Sequence, residues 1–64
     1  RFQERSGLSN REMDIIKCVC HGDTNKQIGE KLFISELTVK GHLKNIFQKL
    51  DIHNRSTLIS KILT

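Results

Sequence analysis

The chain has 64 residues, 36% of them hydrophobic, with three phenylalanines, no proline and a net charge of +4. That size permits one small domain with a thin aliphatic core, near the limit at which a core suffices without staples. No apolar run is long enough to span a bilayer or act as a signal peptide, and a chain opening on Arg1 is expected to be a piece of a longer protein.

Residues 1 to 36 hold six basic and six acidic side chains. Residues 37 to 64 hold Lys40, Lys44, Lys49, Arg55 and Lys61 against Asp51 alone, so the whole excess lies there. Such asymmetry suits a polyanion partner, although small soluble domains also show it with none.

In chain order, residues 1 to 7 lack periodicity and are expected to form a linker or lead-in, with the folded domain over 8 to 64. Ser9 and Glu12 have capping-box spacing, predicting a first helix from about Asn10 to Cys20. Ile15, Ile16, Cys18 and Val19 share its apolar face, Met13 and Cys20 fall nearer its back, and Gly22 suits a left-handed cap. Thr24 and Gln27 repeat the capping box before a short helix, about Asn25 to Leu32, with Ile28 and Leu32 buried. Gly29 inside it costs roughly 1 kcal/mol relative to alanine, which makes sense if another backbone crosses nearby; Val39 is the expected contact.

Phe33, Ile34 and Ser35 break the pattern, and Ser35 can cap a third helix in the stretch 34 to 50. A turn this short between helices forces a steep crossing, the helix-turn-helix geometry. Val39, Leu43, Ile46 and Leu50 fall within about 60° of one another on a helical wheel. Leu37, Gly41, Lys44 and Gln48 lie opposite, flanked by Thr38, Lys40 and Asn45. Asn54 can cap a last helix from Arg55 to about Leu63. Its Leu58, Ile59, Ile62 and Leu63 either all cover the core or leave an apolar strip for a partner. Four helices and no strand pattern make the fold class all-α.

Cys18 and Cys20 stand 200° apart on a helix, so they cannot share a bridge or a tetrahedral metal. Free thiols in a reducing compartment are expected. His21, His42 and His53 are scattered, without a neighbouring nucleophile and acid. There is no glycine-rich phosphate loop, so no enzyme activity, metal, cofactor or small-molecule ligand is expected.

DNA binding needs phosphate clamps and a helix able to reach base edges. Thr24, Asn25 and Lys26 open the second helix, where free N–H groups and the dipole attract phosphate. Lys44 can donate to guanine, and Gln48 or Asn45 to adenine. Gly41 would let the helix backbone sit deep in a major groove. The same residues also fit an ordinary solvated surface, and a protein-interaction module or the promoter-binding end of a sigma factor are alternatives.

The strings LSNRE, NKQIGEKLFIS, TVKGHLKNIFQKL and NRS resemble the LuxR/FixJ-type (GerE-like) helix-turn-helix domain of bacterial transcription regulators, over residues 8 to 63. The resemblance implies double-stranded DNA as partner, in a bacterial cytoplasm, with the third helix as recognition helix reading bases through Lys40, Gly41 and Lys44. It implies phosphate contacts from Asn25, Lys26, Ser35 and Thr38. His42 matches the family's histidine and either packs at the core boundary or touches phosphate, the latter being preferred. Glu12 and Arg55 occupy the family's acid and arginine positions and are expected to form a structural ion pair between the first and last helices. The fourth helix is expected to pair two copies as a homodimer on DNA through Leu58, Ile59 and Ile62, with RNA polymerase a candidate further partner. The family attaches this domain to phosphorylated receivers (response regulators), to ligand sensors or to nothing. Three departures from its pattern are Gly29 for alanine, Gly41 where a side chain often reaches the groove, and Leu37 where polar residues are commoner.

Overall fold

The computed structural model describes residues 6 to 63, without the side chain of Leu63, and within them forms four helices and no strand. These are α1 (Asn10–His21), α2 (Asn25–Leu32), α3 (Glu36–Leu50) and α4 (Arg55–Leu63). Most of the lead-in expected at residues 1 to 7 lies outside the described residues, but Leu8 is already buried in the core.

Both capping boxes form. Ser9 Oγ accepts from the Glu12 N–H while the Ser9 N–H donates to Glu12 Oε1, at 3.1 and 2.9 Å. Thr24 and Gln27 make the same exchange at 3.2 and 2.8 Å. Each satisfies an N–H group that a helix start otherwise leaves without an acceptor. Gly22 ends α1 at φ 98°, the left-handed conformation for which glycine pays no steric penalty. Ser35 caps α3 by accepting from the Thr38 N–H, and Asn54 caps α4 by accepting from the Thr57 N–H.

The core is aliphatic, as the composition predicts. Its fully buried side chains are Ile15, Ile16, Val19, Ile28, Val39, Ile46 and Leu58. The whole predicted α3 stripe, Val39, Leu43, Ile46 and Leu50, turns inward. Met13 and Cys20, placed by periodicity near the back of α1, pack against the core edge, because α1 is covered on more than one side. Leu32 is only half-buried, since α2 ends where the chain turns away. Cys18 and Cys20 are free. Burial, and then the Asp23 carboxylate, push the Cys18 thiol up and keep it protonated.

One expectation is sharpened and another corrected. At Gly29 the closest approach is by the backbone of the turn. A Cβ at Gly29 would lie 2.7 Å from the Ile34 carbonyl oxygen, and the Ile34 N–H donates to Gly29 O at 3.0 Å. The turn therefore folds flat onto α2, and the glycine makes room for it. Leu58 does not belong to an exposed strip: it is 0% exposed, a core residue, so a partner cannot touch it. Ile59 and Ile62 stay half-buried at the core edge.

Candidate nucleic-acid interface

The outward face of α3 carries Leu37, Lys40, Gly41, Lys44, Asn45 and Gln48, all exposed. It exists because the opposite stripe anchors the helix, so side chains half a turn away must point to solvent. Lys40 lies 3.9 Å from Glu36, one turn earlier, with both side chains more than half exposed, a loose pair of little strength. Lys44 and Lys26 carry no ion-pair partner among the described residues. Gly41 is bare, with nothing within 4 Å of where a Cβ would stand.

At the start of α3, Ser35 Oγ and Thr38 Oγ1 lie 2.8 Å apart, so the two hydroxyls share a hydrogen and offer only one outward. At the start of α2 the capping box occupies the Gln27 N–H, and the first-turn N–H groups of Asn25 and Lys26 have no intrahelical acceptor.

An open groove of about 670 Å³ runs between α3 and the start of α2, lined by Asn25, Lys40, Lys44 and Gln48 with Asp51, His53 and Arg55. Leu43, Phe47 and Ile52 supply its apolar lining. Candidate base-reading residues on α3 and a candidate phosphate contact at the start of α2 thus face one space. Thr24, Lys26, Ser35 and Thr38 are exposed but do not line this groove, and His42 is half-buried at the flank of α3.

The polar ties that position this surface differ from those expected. Glu12 and Arg55 do not pair. Lys49 on α3 reaches Glu12 Oε1 at 2.7 Å and also donates to the Gly7 carbonyl, fastening the lead-in and α1 to α3. Arg55 instead donates to Asn25 Oδ1 at 2.6 Å and to the Asp23 carbonyl at 2.8 Å, holding the first residue of α4 against the start of α2. Packing is the reason: Lys49 occupies the Glu12 carboxylate, while the α1–α2 loop and the start of α2 present the Asp23 carbonyl and Asn25 Oδ1 to Arg55.

Asp23 was not singled out from sequence, yet it ties the loop together. Its buried carboxylate accepts from Lys31 at 2.6 Å and lies 3.1 Å from His21 Nδ1. The hydrogen bond from Lys31, then that from His21, hold its carboxyl below the usual carboxylate range, and Asp23 in turn raises Lys31. The available signal was only an aspartate directly before an N-cap threonine, since its Lys31 partner lies eight residues on. Glu12 is also shifted: burial alone would raise its carboxyl, but the Lys49 ammonium and the Ser9 N–H outweigh burial and leave it lowered.

Capped helices, a short turn and a solvent-facing cationic helix together define a helix-turn-helix DNA-binding domain. The family model of bacterial regulatory proteins of the luxR family matches residues 6–62, and the chain belongs to that family. Among its relatives is the transcriptional regulatory protein LiaR of Bacillus subtilis, 49% identical over 49 residues, covering 77% of this chain and 23% of LiaR. The HTH-type transcriptional regulator AlkS of Alcanivorax borkumensis is 44% identical over 57 residues, covering 89% of this chain and only 6% of AlkS. The spore germination protein GerE of Bacillus subtilis is 37% identical over 62 residues, with 97% of this chain and 84% of GerE covered. The chain therefore spans a small part of LiaR and AlkS and most of GerE.

Proposed function

We propose that the chain is the output domain of a bacterial transcription regulator, binding a specific duplex sequence as two copies on half-sites about one helical turn apart or less. The observation that carries this reading is the α3 face itself: Lys40, Lys44 and Gln48 are exposed and point away from a buried stripe. In this reading Lys26, the α2 start at Thr24 and Asn25, the Ser35–Thr38 hydroxyls and His42 take phosphates, setting position and orientation. Lys40, Lys44 and Gln48 then reach base edges, and Gly41 brings the α3 backbone close. A domain this small makes few base contacts, so a second copy supplies the remaining affinity. Ile59 and Ile62 are the apolar residues left for that contact once Leu58 is assigned to the core. Relatives named as transcriptional regulators support the assignment, and RNA polymerase is a further partner in this scheme.

Titration with random duplex at two salt concentrations, followed by selection of a preferred site, tests the reading. Salt-sensitive binding with an enriched site is expected; no duplex binding at low salt would exclude it. Lys26→Ala should weaken all sequences alike with a shallower salt dependence, and a sequence-selective loss would move Lys26 out of its phosphate role.

A further inference from the structure

Leu37 is the residue of the outward α3 face that electrostatics leaves without a task. It is 78% exposed and stands in the first turn of α3. On the helix it lies in the same stripe as Gly41, Lys44 and Gln48, opposite the buried residues. An apolar side chain at the N-terminal end of a cationic face forgoes the burial that stabilises leucine elsewhere in the chain.

Three features specify what would cover it. The chain's entire excess charge lies at residues 37 to 64, and Lys40 and Lys44 flank Leu37 on the same helix, so the complementary surface is polyanionic. Gly41, one turn on, raises no side chain beside Leu37 and has open space above it. The N-terminal part of a recognition helix is the part that meets base edges. In the major groove the one methyl group among those edges is the C5-methyl group of thymine. Leucine can neither donate nor accept, so against a donor or acceptor it would strip water from a polar group and return nothing.

We infer that Leu37 is a specificity-determining residue that reads the C5-methyl group of a thymine in each half-site. This rests on the DNA-binding reading above and adds the base and the atom group read. The preference has two sources: a favourable methyl contact, and a penalty against the other bases.

Replacing a thymine by deoxyuridine deletes that methyl group and nothing else. With the preferred site in hand, each thymine of the half-site is replaced singly and the affinity of the chain measured. One position is expected to lose affinity about three- to fivefold, the scale of one apolar carbon buried. In Leu37→Ser that position should no longer distinguish thymine from deoxyuridine, while Leu37→Met should still do so. Unchanged helix content by circular dichroism is expected for both variants, since the side chain is exposed. Insensitivity to deoxyuridine at every position, or discrimination surviving in Leu37→Ser, would overturn the inference while leaving DNA binding intact. Failure to select any site would instead remove the DNA-binding reading, and this inference with it.

Discussion

Gly29 in α2 and Gly41 in α3 are both glycines inside helices, and each forgoes about 1 kcal/mol of helix propensity relative to alanine. Their surroundings differ. At Gly29 the turn presses its Ile34 carbonyl onto the helix, 2.7 Å from where a Cβ would be. At Gly41 a Cβ would meet nothing within 4 Å. The first glycine is required by the fold, because the helix-turn-helix corner closes only over a bare helix surface. The second is not required by packing, since its place is open to solvent. The two faces of α3 divide in the same way: one side is packing, the other is a surface kept clear.

Substitutions test that division, and the largest effect belongs to the packed side. Gly29→Val should destabilise the domain by about 3 kcal/mol, the upper end of overpacking costs, because the neighbour is backbone and cannot rotate aside. Urea denaturation at wild-type stability would mean that the corner is not closed. Glu12→Gln comes next, with a loss of about 1.5–3 kcal/mol at neutral pH for a charge-assisted hydrogen bond to a buried carboxylate. The lower end is expected, because the Lys49 side chain is 41% exposed and solvent screens the pair. Because folding lowers the Glu12 carboxyl, its contribution is complete above the ordinary glutamate range and is lost as pH falls through the lowered folded value. Glu12→Gln should therefore flatten the acid limb of a stability–pH curve; a parallel curve would assign that limb to other groups.

On the clear side, effects should appear in binding and leave the fold alone. Lys44→Ala should weaken the cognate site by about 1–3 kcal/mol and relax preference at one base pair, with no change in melting temperature. Equal affinity and preference would take Lys44 out of base reading. Gly41→Ala is the smallest and most diagnostic change. It should raise stability by about 0.5–1 kcal/mol while weakening cognate binding. A gain in stability with DNA affinity untouched would show that the gap at Gly41 serves no ligand.

Much of this fold is legible in the sequence. Ser9–Glu12 and Thr24–Gln27 are local pairs three residues apart, and Val39, Leu43, Ile46 and Leu50 obey helical periodicity, so near-neighbour rules place them. What escaped depends on loops. The partner of Arg55 is decided by where the α1–α2 loop presents the Asp23 carbonyl and the Asn25 amide oxygen, and no spacing rule encodes that. Lys49 was counted with the cationic half of the chain, yet its reach back to Glu12 needs α1 and α3 to be packed first. Leu58 and Ile59 are adjacent on one helix, and periodicity could not say which faces the core until the orientation of α4 was known. The exposed α3 residues followed directly from the buried stripe, whereas their joining with Asn25 across one groove did not.

The pairing of Lys49 has a consequence for the charge with which the sequence began. A lysine already neutralised by a buried carboxylate displaces few ions from a duplex. Arg55, held by the neutral oxygens of Asn25 and Asp23, keeps its charge in the groove. Those left to displace ions on this surface are Lys26, Lys40, Lys44 and Arg55. At about 0.9 counterions released per phosphate neutralised, each copy should show a logarithmic salt slope of about −3.6. The fold thus withholds part of its nominal charge from the polyanion, and a modest slope leaves more of the affinity to the bases.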